Sequence, residues 1–140
     1  IGVTPSKTVN RVSILSNGAH DYNPHVLKRM EGRVSLDARF YDRHETMVSS
    51  RHFEVVLDGM YDAVHKYGGT VRLAYVKGMN IRGKTGTAQN PHGADHSTFL
   101  GFAPKDNPKI AVSVYVEHGG WGGTTAAPIA SLIMEYYIGL

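Results

Sequence analysis

Seven consecutive residues, Arg82-Gly83-Lys84-Thr85-Gly86-Thr87-Ala88, hold the groups best placed to do chemistry. A cation and two hydroxyls stand among glycines, with no bulky side chain to screen them. A lysine between small residues on extended backbone can reach across an open cleft. Glycine at 83 and 86 lets another chain or a ligand come close to the backbone. The stretch is built to receive an anionic or carbonyl-bearing group. Gly78-Met79-Asn80-Ile81 leads into it, and the polar, strand-breaking run Gln89-Asn90-Pro91-His92-Gly93 follows.

Two chemistries use such a string. Gly78-Met79-Asn80-Ile81-Arg82-Gly83-Lys84-Thr85 satisfies G-x-x-x-x-G-K-[ST], the nucleotide-binding P-loop. The other is the Lys-Thr-Gly strand of serine acyl-transfer enzymes. A P-loop needs a helix directly after its Lys-Thr, because the helix amino terminus supplies phosphate-binding N–H groups. Gly86, Pro91 and Gly93 disfavour a helix there. Residues 110–117 form an apolar run ending in an acid, as P-loop proteins carry. Their spacing from Phe99, however, fits an antiparallel hairpin rather than a parallel sheet with crossover helices.

The elements that must position this stretch follow from local signals. Thr4-Pro5 is a helix start, with Thr at the cap and Pro at the first helical position. That helix runs to about Ser16 and stops at Asn17-Gly18, with Val9, Val12, Ile14 and Leu15 on its apolar side. Residues 22–27 read as a turn into a short strand, and residues 28–43 as a charged, exposed excursion. A second helix, capped by Ser49 or Ser50, places Phe53, Val56, Leu57, Met60 and Val64 at helical spacing. Gly68-Gly69 ends it, and residues 70–76 read as extended. Three strands are predicted, over 79–88, 98–103 and 110–117, with a turn at 104–108 making the last two an antiparallel hairpin. After Gly119-Gly120-Trp121-Gly122-Gly123 a last helix begins near Thr124 or Thr125. Pro128 lies in its first turn, and Ile129, Leu132, Ile133 and Tyr136 on its apolar face. Helices plus an antiparallel meander define an α+β fold.

Composition narrows the function. The 140 residues, 41% hydrophobic and 19% charged, suffice for one globular domain. A net charge of +3 without a dense Lys/Arg run argues against nucleic acid as partner. With no cysteine, disulfides, Cys-ligated zinc and a cysteine nucleophile are excluded. The sequence shows neither a signal peptide nor a membrane span. It opens on Ile1-Gly2-Val3 without an initiator Met, which reads as a piece of a larger protein.

An ordered set of motifs then carries a resemblance. Lys84-Thr85-Gly86-Thr87-Ala88, Asn90-Pro91-His92-Gly93 and His96-Ser97 come first. Gly101-Phe102-Ala103-Pro104-Lys105-Asp106-Asn107-Pro108-Lys109-Ile110-Ala111 follows, then Gly120-Trp121-Gly122-Gly123 and Ala127-Pro128-Ile129-Ala130. Together they resemble the C-terminal part of a class B penicillin-binding protein, nearest the penicillin-binding protein 2 branch. Val3-Thr4-Pro5, Pro24-His25 and Gly59-Met60-Tyr61 before Gly68-Gly69-Thr70 are similar to that branch as well. The likeness covers nearly the whole chain and is weakest over residues 28–49.

The resemblance implies the penicillin-recognising serine transpeptidase fold and peptidoglycan D,D-transpeptidase chemistry. A serine attacks D-Ala-D-Ala, an acyl-enzyme forms, and the acyl group passes to a neighbouring stem-peptide amine. β-Lactams mimic the dipeptide. Such a site needs Ser-x-x-Lys, Ser-x-Asn and Lys-[Ser/Thr]-Gly, and no cofactor. None of the nine serines has Lys three residues on or Asn two residues on. The expectation is therefore that residues 1–140 are the C-terminal portion of a transpeptidase domain whose nucleophile-bearing part is absent. Catalysis by this chain alone is not expected. Lys84 would supply positive charge for the substrate carboxylate and the proton-transfer network. The hydroxyls of Thr85 and Thr87 would bind that carboxylate, the Thr87 N–H would be one of two oxyanion-hole donors, and Gly86 would let substrate lie along the strand edge. The implied partners are stem peptides and β-lactams, the missing N-terminal part of the domain, and a glycan polymerase beside the parent. The parent would be anchored in the cytoplasmic membrane with this domain on its periplasmic face. A bare edge on the strand over 110–117 would invite self-association.

Other constellations read as structure. His92, Asp95 and His96 have ligand-like spacing, but Pro91 and Gly93 put His92 in a loop, which reads as a solvated rim. Trp121 among glycines reads as an anchor of its turn on the core, and Tyr136 and Tyr137 as packing. Lys28, Arg29, Arg39 and Arg43 read as a solvated face.

Overall fold

The first helix, α1 (Pro5–Ser16), starts where Thr4 and Pro5 require. Thr4 Oγ1 accepts a hydrogen bond from the Lys7 amide at 3.3 Å, and Pro5 sits where no N–H is needed. The computed structural model describes residues 3–26 and 37–139. Beyond α1 the chain forms a two-residue strand, β1 (His20–Asp21), antiparallel to β2 (His44–Glu45). Asn10 on α1 donates to Asp21, which ties this small ribbon to the helix.

The strand expected over 22–27 is not formed. Residues 22–26 are irregular, and Leu27 lies outside the described residues. Pro24 has no ladder donor, the Asn23 side chain donates to the Arg39 carbonyl at 2.9 Å, and the His25 ring bonds the Asn23 carbonyl at 3.0 Å. Of the expected excursion, residues 37–43 are described: an exposed one-turn 3-10 helix (Ala38–Phe40) and its flanks. Arg39 and Arg43 pair locally with Asp37 and Glu45, as a solvated face should. Lys28 and Arg29 lie outside the described residues.

Helix α2 (Ser50–His65) buries Phe53, Leu57, Met60 and Val64. Val56, predicted on the same face, is half exposed, because it lies a turn's edge away from that stripe. The extended segment expected over 70–76 is instead a turn and a 3-10 helix (Arg72–Ala74). Arg72 Nη1 donates to the carbonyls of Val64 (3.1 Å) and His65 (2.8 Å), and the Val71 amide donates to Ala63 O. These bonds satisfy carbonyls that the helix end would otherwise leave open, and they fold the chain back onto α2.

Three antiparallel strands follow: β3 (Arg82–Ala88), β4 (His96–Ala103) and β5 (Ile110–Val116), in the order β3-β4-β5. The hairpin turn falls between Ala103 and Ile110, as predicted. β3 begins at Arg82 rather than Met79, since Met79 and Ile81 are buried in the core before the ladder starts. One core layer joins Val64, Val71, Met79, Ile81, Phe99 and Val112 to the last helix, α3 (Ala126–Ile138). A second joins Val12, Phe53, Leu57, Met60 and Phe102 under α1 and α2.

The expected apolar face of α3 is reversed. Ala126, Ala127, Ala130, Ser131 and Met134 are buried, whereas Ile129, Leu132, Ile133 and Tyr136 are exposed, Tyr136 at 91%. Small residues win the inner face because they bring the helix close to a sheet that is itself filled by Phe99. Tyr137 is exposed too.

Candidate functional site

Lys84 and Thr85 lie in the middle of β3, which stays paired with β4 through Ala88 opposite His96. No helix follows them, so the helix amino terminus that a P-loop needs is not there. Lys84 pairs with Leu100, Thr85 with Phe99, Gly86 with Thr98 and Thr87 with Ser97. The stretch predicted to receive a ligand is therefore, among the described residues, an edge strand held on one side only.

A groove of about 580 Å³ opens over this strand. Lys84, Thr85, Gly86 and Thr87 contribute one side. Gly69, Thr70, Arg72 and Leu73 come from the turn after α2, and Trp121, Gly122, Gly123 and Thr124 from the loop before α3. The four site residues predicted from sequence are thus brought together.

Glycines set the geometry where backbone meets backbone. A Cβ on Gly122 would fall 2.4 Å from Thr98 O and 2.5 Å from Gly86 O, so the loop rests directly on β3 and β4. A Cβ on Gly123 would fall 2.8 Å from Thr70 O, where the two walls meet. Ser97 locks this junction from below. It is fully buried, its Oγ donates to Trp121 O at 3.1 Å, and it accepts from the Ala126 amide at 3.0 Å. Thr125 Oγ1 closes the same loop on Gly119 O at 2.7 Å.

The electrostatics favour an anion. Among the described residues no Asp or Glu lines the groove. Lys84 is exposed there, and among the described residues its Nζ donates only to the neighbouring Thr85 carbonyl. Arg72 also lines it, but its guanidinium is engaged at the end of α2 and sits 5.2 Å over the Tyr75 ring. Thr70, Thr85, Thr87 and Thr124 add hydroxyls. A carboxylate would meet an exposed ammonium and several hydroxyl donors. Among the described residues no serine lines the groove.

Trp121 departs from expectation. The residue is 78% exposed and lines the groove. The turn is anchored by the Trp121 carbonyl, not by the indole. Glycine on both sides was the available signal, since it leaves an aromatic ring no neighbours to pack on.

The loop over 89–95, expected as a rim, contributes no residue to the lining of the groove. Asn90 N donates to Asp95 Oδ1 at 3.0 Å, and the His118 amide donates to His96 Nδ1 at 3.0 Å. His96 is thus tied into the strand ends, with its ring 5.1 Å from that of His118. Among the described residues no group of three His, Asp or Glu side chains is arranged to hold a metal. Farther back, His65 stacks on Tyr61 at 4.0 Å and bonds the Ile81 carbonyl at 3.2 Å. Burial holds its pKa below the ordinary histidine value, and Arg72 adds to that. The Ile81 bond opposes both.

An antiparallel sheet backed by helices, with a cationic Lys-Thr-Gly strand at its edge, is the arrangement of a penicillin-recognising domain. The chain belongs to the penicillin binding protein transpeptidase domain family, whose pattern matches residues 1–135. It falls in the penicillin-binding protein 2 branch of class B. The peptidoglycan D,D-transpeptidase MrdA of Haemophilus influenzae is 34% identical over 96% of this chain, which spans 24% of that protein. The crystal structure of Pseudomonas aeruginosa PBP2 in complex with WCK 5153 superposes with a TM-score of 0.82 at 34% identity. It covers 96% of this chain and 29% of that one. Penicillin-binding protein A of M. tuberculosis, solved as a ceftriaxone acyl-enzyme complex, gives 0.78 at 26% identity, over 95% of this chain and 32% of that one. The chain therefore spans about a quarter to a third of these three relatives.

Proposed function

We propose that this chain supplies the Lys-Thr-Gly wall of a peptidoglycan D,D-transpeptidase site. The observation that carries the reading is the groove over β3, lined by Lys84 and four threonines and, among the described residues, by no carboxylate. Lys84 holds the carboxylate of a D-Ala-D-Ala stem peptide, or its β-lactam equivalent, and supplies charge to the proton-transfer network. Thr85 and Thr87 hydroxyls bind the same carboxylate, and Gly86 keeps the strand edge open to the substrate backbone. The Thr87 N–H serves as one oxyanion-hole donor, a contribution worth about a hundredfold or more in rate.

The reacting serine and its Lys and Asn partners come from another part of the domain, because no Ser-x-x-Lys or Ser-x-Asn occurs in these 140 residues. The chain acts with that complementary part, in a parent held at the periplasmic face of the cytoplasmic membrane beside a glycan polymerase. Among the described residues no helix is long and apolar enough to cross a membrane. A nucleotide-binding P-loop is disfavoured by the strand that continues past Thr85. A chain that only folds or binds, without contributing to acyl transfer, is the remaining alternative.

The test is titration with benzylpenicillin, read by amide chemical shifts and intact mass. The expected result is movement of the Lys84, Thr85, Gly86 and Thr87 amides, lost in Lys84→Met, with no covalent adduct. An acyl adduct would place the nucleophile inside this chain. Unmoved amides alongside nucleotide-induced shifts over residues 78–85 would replace the reading with nucleotide binding.

A further inference from the structure

Two histidines meet where the chain turns into the groove wall. His96 opens β4, opposite Ala88 at the end of β3. His118 follows β5 and lies just ahead of Trp121. The His118 amide donates to His96 Nδ1 at 3.0 Å, so that nitrogen carries a lone pair and no proton. The His118 ring reaches back to the loop over 89–95. Its Nδ1 lies 3.1 Å from Asn90 Nδ2 and 3.2 Å from Ala94 O. Asn90 Oδ1 already accepts from the His92 amide (3.0 Å), and Asn90 Nδ2 donates to Ala94 O (3.2 Å), which fixes the way this side-chain amide points. Its second N–H is left for His118 Nδ1, and each proton finds an acceptor only if that nitrogen is bare as well. Gly120 N donates to Asp95 O at 2.8 Å and completes a clasp between loop and turn. Within it His118 is held at φ +54°, a left-handed conformation that the surrounding bonds must maintain.

Protonation undoes this arrangement. A proton on His96 Nδ1 replaces an acceptor by a donor facing the His118 N–H. A proton on His118 Nδ1 competes with the Asn90 amide for Ala94 O. The rings are 5.1 Å apart, so two charges there also repel. No counter-charge compensates. Tyr115 of β5 faces the His96 ring at 5.5 Å with a phenol, and β3 presents Ala88. Asp95 and Glu117 are the neighbouring acids. Asp95 Oδ1 accepts from the Asn90 amide at 3.0 Å, and the one histidine ion pair among the described residues is His44 with Asp21. His118 is exposed and His96 half-buried, so protons from water reach both.

We infer that His96 and His118 are positioning residues: as neutral rings they clasp the 89–95 loop to the turn at 117–120 and so hold the wall formed by Trp121, Gly122, Gly123 and Thr124, and acid releases that wall. The clasp acts whatever the groove binds, and its failure would leave the carboxylate reading of Lys84 untouched.

The test follows hydrogen exchange in the ligand-free 140-residue chain from about pH 8 to about pH 5, the range in which imidazole takes up a proton, with rates corrected for the intrinsic effect of pH. Protection of the His118 and Gly120 amides is expected to fall about tenfold, roughly the worth of one or two hydrogen bonds, at the midpoint where the His96 or His118 ring signals move. Fluorescence of Trp121, the chain's single tryptophan, should change at the same midpoint. The Phe99 and Leu100 amides inside β4 should keep their protection, which separates release of the wall from unfolding. His96→Asn combined with His118→Asn supplies a side-chain oxygen that does not titrate at each place, and asparagine accepts a left-handed backbone. That double variant should stay protected at both ends of the range. His96→Ala should lower protection at pH 8 as well. A profile flat in pH for the unmodified chain, a pH dependence that survives in the double variant, or parallel loss at Phe99 and Leu100 would overturn the clasp.

Discussion

Ser97→Ala is the sharpest perturbation of the scaffold under the groove. The hydroxyl is fully buried and serves two groups, the Trp121 carbonyl and the Ala126 amide. Their fates on truncation differ. Trp121 O keeps the Thr124 and Thr125 amides and the Thr124 hydroxyl as donors. Ala126 opens α3 and is itself fully buried, so its N–H is left without an acceptor. An orphaned buried donor costs about 1–3 kcal/mol, and the volume change is slight, so the expected loss is about 2 kcal/mol. For a domain of this size that corresponds to roughly 6–8 °C in Tm. Urea unfolding followed by circular dichroism should show a lower midpoint with an unchanged slope. Hydrogen exchange should speed up at the Ala126 amide while Thr124 and Thr125 keep their protection. A loss below about 0.5 kcal/mol, or equal loosening of all three amides, would refute the division of labour argued for this hydroxyl.

Gly122→Ala should destabilise by about 2–3 kcal/mol and shift the Gly86 and Thr98 amides, because the added carbon meets two backbone carbonyls that cannot rotate away. A change within about 0.5 kcal/mol would mean the loop does not rest on the strand. His65 titrates below its ordinary value in the folded chain, so the unfolded chain takes up the proton first. Its contribution is fully present above the unfolded pKa and declines as pH falls through that value toward the folded one. Thermal melts between about pH 8 and pH 5 should therefore drop less in His65→Gln than in the unmodified chain, and parallel curves would count against this. The edge strand β5 has neither charge, proline nor glycine in its seven residues. Light scattering should find concentration-dependent association that Tyr115→Lys suppresses, and a monodisperse unmodified chain at all concentrations would argue otherwise.

Elements with strong local signals were legible in the sequence. Thr4-Pro5 named the start of α1, the apolar stripe of α2 named its buried face, and the Pro-rich turn at 104–108 named the β4–β5 hairpin. Lys84, Thr85, Gly86 and Thr87 were also legible as a set, since small residues around a cation leave little else for the strand to do. What escaped depends on distant partners. Arg72 turns residues 70–74 back because the end of α2 needs donors, which no window around Arg72 discloses. α3 is apolar nearly all round, so periodicity could not choose its inner face. The choice fell to alanines that fit against Phe99. β1 and β2 pair only two residues each and show no alternation to read.

The Gly122–Gly86 contact separates the holder from the tool. Backbone packing and the hydroxyls of Ser97, Thr124 and Thr125 seat the loop on the strands, and the bonds that fix residue 121 end on its carbonyl. Nothing in that seat uses the indole. Position 121 is consequently an interchangeable fitting: a cation, an acid or a small side chain could be mounted there without disturbing the register of β3 and β4. The groove could thus be retuned for a different ligand body while Lys84 and the hydroxyls of β3 keep their places.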